Sequence, residues 1–241
     1  LAGVEASPGD LGATTQAGIM LGLGFAFLLG VFPLYNWIPM LMEEASPYVT
    51  GFLLWVLPTF TVVFALGFLD RYTWIRNSPE LSSAIQFAGI FMVASGGLFA
   101  SLQKHIGRMM GYAAITETGL LILAMSLKSS EVVNITFLLL IPRGLVLAVW
   151  ALALSIINRK AESLRFNEIQ GLARSYPMVV AAIILAHLSM TGFPLLAGFP
   201  PRLALWQELA KQSLAISFWV FLGMFGLLIG AIRTLAVFVM A

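Results

Sequence analysis

Residues 24–47 read GFAFLLGVFPLYNWIPMLMEEASP, and this stretch decides the fold class. An apolar helix runs into Phe-Pro and is followed by an amphipathic Tyr-Asn-Trp-Ile-Pro corner, two acidic residues and Ser-Pro. We interpret the Gly-Val-Phe-Pro-Leu portion as a helix-packing feature, because small residues let neighbouring membrane helices approach closely. The stretch therefore predicts a membrane helix that ends in a polar corner.

The composition of the chain agrees with this prediction. Of its 241 residues, 60% are hydrophobic and 10% are charged, and the mean hydropathy is +0.95. Soluble domains carry about 25% charged residues. Apolar stretches of about 20 residues, the length that spans a bilayer as a helix, recur along the chain. We therefore predict an all-α fold, a polytopic transmembrane helix bundle.

We divide the chain into a polar N-terminal segment, residues 1–16, and a transmembrane helical domain, residues 17–241. The N-terminal segment does not resemble a signal peptide. Because the chain starts without a methionine and stops within an apolar run, we expect a processed or truncated chain. The domain contains seven main apolar segments, at residues 17–37, 49–68, 84–102, 108–127, 132–157, 178–196 and 215–240.

Two of these segments are predicted to be discontinuous. The second carries Pro58 in its middle, and a simple packing kink is the alternative there. The sixth dissolves into TGFPLLAGFPPR. Proline removes a backbone donor, and broken helices survive in a membrane only where protein or a water-filled cavity satisfies the freed groups. The residues that predict the second interruption are Gly192, Pro194, Pro200 and Pro201.

The remaining composition argues against several classes of site. The net charge is +2 and the basic residues are scattered between apolar segments, so we predict no nucleic-acid partner. The chain has no cysteine and only two histidines, His105 and His187, which lie far apart in sequence. We therefore predict no metal site, no cofactor and, in the absence of catalytic motifs, no catalytic residue.

Four ionisable residues inside apolar segments are candidates for a proton path, because such groups are costly in a membrane and are usually functional. They are Glu117, Arg143, His187 and Arg202. Each has a structural alternative: a hydrogen-bonded carboxyl at Glu117, an ion pair with Glu117 at Arg143, a buried neutral ring at His187 and a snorkelling side chain at Arg202. We expect Arg233 to make a lateral contact or to anchor a helix end.

If the segments alternate in direction, the basic residues divide unequally between the two ends of the bundle. One end holds Lys104, Arg108, Arg159, Lys160, Arg165 and Arg174, and the other holds Arg71, Arg76, Lys128 and Lys211. The excess of positive charge on cytoplasmic loops favours the first end as cytoplasmic.

Three stretches resemble one family. They are GFAFLLGVFPLYNWIPMLMEEASP, SLQKHIGRMMGYAAITETGLLILAMSL and NEIQGLARSYPMVVAAIILAHLSMTGFPLLAGFPPRLALW. In order and spacing they are similar to the antiporter-like, proton-translocating membrane subunits of respiratory complex I (NADH-quinone oxidoreductase), and to related hydrogenase and cation/proton antiporter subunits. The resemblance implies part of an inverted-repeat architecture with two discontinuous helices.

The chain departs from the family pattern at several charged positions. Leu28 and Leu147 stand where the family carries membrane lysines, and Pro58 stands near another. Arg202 falls on the charged position of the second broken helix. The resemblance therefore implies a proton relay that is interrupted in this chain.

The resemblance implies a membrane-arm subunit without redox chemistry of its own, contributing to proton translocation coupled to quinone reduction, or a form with that activity reduced or lost. Its partners would be other membrane-arm subunits and the lipid bilayer. A bacterial cytoplasmic membrane is the expected location, with an organellar inner membrane as the alternative. Two other functions stay open: a stand-alone secondary transporter or cation/proton antiporter subunit, and a membrane scaffold.

Overall fold

The computed structural model describes residues 10–72, 78–127 and 131–240, and within them the fold is helical. Arg76 and Lys128, counted above for orientation, lie outside this part of the chain. The helices are α1 (Asp10–Leu29), α2 (Trp37–Glu44), α3 (Pro47–Arg71), α4 (Pro79–Leu102), α5 (Ile106–Met125), α6 (Val132–Asn158), α7 (Pro177–Met190), α8 (Phe199–Gln212) and α9 (Leu214–Val239).

The predicted membrane character of the fold is confirmed. Five stretches, each helical over most of its length, are long and apolar enough to cross a membrane: Gly18–Glu44, Pro47–Arg71, Pro79–Leu102, Val132–Asn158 and Leu214–Val239. The other two predicted segments correspond to α5, which is less apolar, and to α7, which is apolar but has only 14 residues. The first helix begins at Asp10, before the predicted boundary at residue 17, so part of the segment predicted as a polar N-terminal segment is helical.

The first interruption lies one segment earlier than predicted. The chain leaves α1 at Leu29, Gly30 adopts a φ of +59°, which favours glycine, and a single 3-10 turn at Leu34–Asn36 precedes α2. The stretch interpreted as a packing feature is therefore a helix break.

The interruption predicted at Pro58 is wrong. Helix α3 runs continuously from Pro47 to Arg71 with Pro58 inside it. Proline cannot donate to the carbonyl four residues earlier, which here belongs to Leu54. That carbonyl accepts a hydrogen bond from Arg143 Nη2 at 3.0 Å instead. A remote side chain thus replaces the donor whose loss would have favoured a break.

The second interruption lies where the sequence predicts it. Helix α7 ends at Met190 and α8 begins at Phe199. Gly192 and Leu195 between them have φ values of +71° and +75°. Pro200 and Pro201 fall in the first turn of α8, where proline is tolerated because the first amides of a helix have no internal partner.

Helix α5 forms the centre of the described bundle and is buried along most of its length. It packs against α4, α2 and α6, and α4 packs in turn against α9. Glycines make these approaches close: a Cβ atom on Gly97 of α4 would clash with the backbone of Gly223 on α9. Such small-residue contacts are a usual basis of helix association in membranes, and Gly111 and Gly119 of α5 likewise lie close to the backbone of α2 and α4.

Candidate functional site

A buried ion pair lies at the second helix interruption. Arg202 Nη2 donates to Glu117 Oε1, so the pair joins the first turn of α8 to the middle of α5. The side chains are 9% and 2% exposed. Two charges taken out of water in this way are tolerated because each compensates the other.

The interruption itself positions Arg202. Its Nη1 atom donates to the carbonyl oxygen of Gly198 at 2.6 Å, and the Gly198 amide donates to Ser189 Oγ at 3.2 Å. A Cβ atom on Gly192 would lie 2.9 Å from Arg202 Cδ, so the glycine leaves room for the arginine stem. The connection between α7 and α8 therefore fixes the guanidinium on the side facing Glu117.

Arg143 approaches the same pair without joining it. The side chain is 1% exposed, and its Nη2 atom donates to the Leu54 carbonyl and to Thr118 Oγ1, both at 3.0 Å. It interacts electrostatically with Glu117 and Arg202. The expected Arg143–Glu117 ion pair is replaced by the Arg202–Glu117 pair, because the α7–α8 connection aims Arg202 directly at the carboxylate.

His187 has a different environment. It is fully buried on α7, and its ring stacks on Trp150 of α6 with a centroid distance of 4.6 Å and an interplanar angle of 29°. Neither ring nitrogen, nor Trp150 Nε1, has a hydrogen-bond partner among the described residues. The structure thus brings Glu117, Arg143 and Arg202 together, and it places His187 on Trp150.

A second polar cluster was not predicted as a site. Arg108 Nε lies 2.8 Å from Glu43 Oε2, an ion pair between α5 and α2 at one end of the bundle. His105, Lys104 and Arg165 line the same pocket. The sequence offered one signal, the two acidic residues near the end of the 24–47 stretch. Nothing near them in the sequence indicated that Glu43 pairs with Arg108.

Among the described residues, no group of three His, Asp or Glu side chains lies close enough to hold a metal ion. The expectation that the chain binds no cofactor stays a prediction.

The chain matches the family model described as "NADH:quinone oxidoreductase/Mrp antiporter, TM" over residues 9–235. One similar curated protein is NADH-quinone oxidoreductase subunit N of Leptospira interrogans, which is 28% identical over 210 residues. That match covers 85% of this chain and 40% of the relative. The chain thus spans about two fifths of the length of such relatives.

Solved structures share the fold. A chain of the Mrp complex from Dietzia sp. superposes with a TM-score of 0.85 at 17% identity, covering 97% of this chain and 43% of that one. A chain of respiratory complex I from Thermus thermophilus with bound NADH gives a TM-score of 0.77 at 23% identity, covering 92% and 47%. In both cases the two arrangements of helices agree over almost all of this chain.

Proposed function

Because the chain belongs to the NADH:quinone oxidoreductase/Mrp antiporter transmembrane family, we propose that it forms part of a membrane-arm subunit of a complex I-like oxidoreductase. In this proposal it contributes to proton translocation coupled to quinone reduction, together with other membrane-arm subunits. The observation that carries the proposal is the buried Glu117–Arg202 pair at the second helix interruption. Interrupted helices that meet ionisable residues near the membrane midplane are typical of ion pathways.

The two residues have different chemical roles. A carboxylate can accept and release a proton, whereas an arginine stays charged. We assign Glu117 as the proton carrier and Arg202 as its counter-ion. When Glu117 takes up a proton, Arg202 loses its compensating charge, and an uncompensated buried charge costs about 3–5 kcal/mol. Proton uptake is therefore coupled to a shift of Arg202 or to the arrival of another negative charge.

Arg143 and His187 complete the proposed path. Arg143 keeps a positive charge beside the pair and orients Thr118 through its hydrogen bond. His187, buried on Trp150, is a second group that can exchange a proton. Its neutral ring is held by stacking, so it changes its protonation state only when a charge partner or water reaches it.

Two leucines, at positions where the resemblance implies lysines, limit the proposed proton path to the part of the described bundle around the second interruption. Leu147 is fully buried among apolar residues, and Leu28, on α1, is 48% exposed. Neither can carry charge. We therefore propose that translocation in this chain depends on the second interruption and not on the first.

The test measures the ratio of protons moved to electrons transferred by the complete complex reconstituted in liposomes. We expect Glu117→Gln to lower the ratio, because the amide cannot take up the proton, while electron transfer continues. Glu208→Gln is the matched control, since Glu208 pairs with Lys211 at the bundle surface. If Glu117→Gln destabilises the complex, the double variant Glu117→Gln/Arg202→Gln removes both charges and is measured instead.

An unchanged proton-to-electron ratio in Glu117→Gln, or in Glu117→Gln/Arg202→Gln where that variant is measured instead, would contradict the proposed role and favour a scaffold. Copurification decides the remaining alternative. Flavin or iron–sulfur subunits in the purified complex support an oxidoreductase, whereas a complex of transporter subunits alone supports a cation/proton antiporter.

A further inference from the structure

A polar pocket opens at the end of the bundle where α4 finishes and α5 begins. Its volume is about 540 Å³. It is separate from the Glu117–Arg202 pair, and the proposed function does not use it. The residues that line it are Glu43, Gln103, Lys104, His105, Arg108, Arg165, Phe166 and Asn167. We call it the basic pocket.

Backbone hydrogen bonds hold the two walls of the basic pocket together. The Ile106 amide donates to the Leu164 carbonyl at 3.0 Å, and the Phe166 amide donates to the Lys104 carbonyl at 2.9 Å. These bonds fix the connection between α6 and α7 against the turn between α4 and α5. Lys104 and Arg165 therefore line one pocket, although 61 residues separate them in sequence.

A third contact supports the Phe166 wall from behind. The guanidinium of Arg233 on α9 lies 5.6 Å from the centre of the Phe166 ring, and its Nη1 atom donates to the Ser101 carbonyl. The expected lateral contact of Arg233 is thus with the pocket wall. These contacts and the two backbone hydrogen bonds fix the position of the segment that carries Arg165 and Phe166.

The pocket carries an excess of positive charge. It contains three cations, Lys104, Arg108 and Arg165, and one carboxylate, Glu43, which pairs with Arg108. Within the part of the chain that the structure describes, Lys104 and Arg165 are in no ion pair, and both side chains are exposed. The N-terminus of α5 adds its positive partial charge at the same place. This arrangement attracts an anion with several oxygen atoms.

Apolar and aromatic side chains lie about one helical turn from two residues of the pocket. Tyr112 follows Arg108 by one helical turn on α5, and Met40 precedes Glu43 by one turn on α2, so both lie on the membrane side of the pocket. Met40 is 59% exposed, and Phe99, which contacts the Tyr112 ring at 5.6 Å, is 43% exposed. An anionic group in the pocket therefore has an apolar surface directly beside it.

We propose that the basic pocket binds the phosphate headgroup of an anionic phospholipid, whose acyl chains lie along Met40, Phe99 and Tyr112. Lys104 and Arg165 bind the phosphate oxygens, and Arg108 contributes the donors that its contact with Glu43 leaves free. A membrane phospholipid fits better than free phosphate because charge and apolar surface occur together. Clusters of basic residues at the ends of membrane helices are suited to this recognition.

The test uses the full-length protein in nanodiscs of phosphatidylcholine with increasing phosphatidylglycerol. Phosphatidylglycerol that stays bound is counted by native mass spectrometry. We expect Lys104→Gln and Arg165→Gln each to weaken retention about fivefold, the effect of removing one cation near an anionic lipid. The matched control is Lys160→Gln/Arg174→Gln, which removes two exposed cations from the same end of the bundle outside the pocket.

The outcomes separate the explanations. Loss of retained lipid in Lys104→Gln/Arg165→Gln but not in the control supports the proposal. Equal loss in both double variants means general electrostatic attraction and overturns it. Thermal unfolding is also measured with millimolar inorganic phosphate in phosphatidylcholine nanodiscs. If phosphate raises the unfolding temperature as much as phosphatidylglycerol does, the ligand is the free anion and the lipid assignment is wrong.

Discussion

At the residue scale, the sequence identifies which charged residues are buried, but the fold decides which of them pair. Glu117 and Arg202 could be singled out from the sequence because charges are rare in apolar segments. Their pairing could not, since 85 residues separate them and Arg143 was an equally reasonable partner. The choice between the arginines depends on the α7–α8 connection, whose path is set by several packed helices.

His105 gives a pH-dependent prediction outside the membrane-spanning segments. Burial lowers the pKa of His105 below its usual value, and the positive charges of Arg165 and Arg108 act in the same direction, against the opposing effect of Glu43 and Glu44. The unfolded chain therefore binds this proton more readily than the folded chain. Folded stability due to His105 is present above about pH 6.5, the unperturbed value, and is lost as the pH falls towards the folded pKa.

The measurement is the unfolding temperature of the full-length protein in detergent between about pH 5 and pH 8, a range centred near the unperturbed pKa of histidine. We expect the native protein to lose more stability on acidification than His105→Gln. Glutamine stays neutral, and its carbonyl oxygen can still accept from the Arg108 amide, as His105 Nδ1 does at 3.4 Å. Parallel curves for the two proteins would contradict the prediction.

At the scale of single helices, α3 shows that a proline within a span predicts a break only when nothing replaces the lost donor. Pro58 leaves the Leu54 carbonyl without its helical partner, and Arg143 supplies the replacement from α6. The same arginine bonds Thr118 on α5, so it ties three helices together. Arg143 therefore has a structural role in addition to the one proposed near Glu117.

This relation predicts a coupling between two positions on different helices. Pro58→Ala restores an amide that can donate to the Leu54 carbonyl, so Arg143 is no longer its only donor. We expect Arg143→Met to cost about 1–3 kcal/mol less in the Pro58→Ala background, the cost of one unsatisfied buried group. Losses common to both backgrounds, including the Thr118 contact, cancel in the double-mutant cycle.

The free energy of unfolding of the full-length protein is measured by reversible denaturation in mixed detergent micelles. Leu57→Ala is the control partner in a second cycle, because it changes a neighbouring side chain of α3 without altering the backbone donors. Additive effects of Pro58→Ala and Arg143→Met, within about 0.5 kcal/mol, would rule out the proposed replacement.

At the scale of the whole molecule, the sequence was sufficient for the fold class and for one of the two interruptions. Gly192, Pro194, Pro200 and Pro201 fall within ten residues, and so dense a signal acts locally. The first interruption at Gly30 has a weaker local signal inside an apolar run, and it was missed. Pro58 had a clear local signal that a distant arginine overrides. Breaks caused by local glycine and proline can be predicted from a sequence, whereas contacts between helices depend on packing and cannot be predicted in this way.

The path of the chain also shows which helix ends lie at the same end of the bundle. Helices α7 and α8 together cross the bundle once, since α8 ends at Gln212, which bonds Gln86 near the start of α4 at 3.2 Å. Helix α4 then runs to the basic pocket at the opposite end. Among the described residues, Arg71 and Lys211 lie at the Gln212 end, and Lys104, Arg108, Arg159, Lys160, Arg165 and Arg174 lie at the other.

This distribution predicts the orientation in the membrane. Because cytoplasmic ends of membrane helices carry the excess of Lys and Arg, the basic pocket faces the cytoplasm and Gln212 faces the opposite side. The 241 residues contain no cysteine, so an introduced thiol is the only one within them. We expect a membrane-impermeant maleimide added to intact spheroplasts to label Gln212→Cys and to leave Glu162→Cys, beside the pocket, unlabelled.

Permeabilising the membrane should make Glu162→Cys reactive, since residue 162 is exposed in the folded chain, as is residue 212. The parent protein gives the background of each measurement. Labelling of Glu162→Cys in intact spheroplasts, with protection of Gln212→Cys, would reverse the orientation. The basic pocket would then face the leaflet opposite the cytoplasm, and the six cations at that end of the bundle would make this chain an exception to the charge rule.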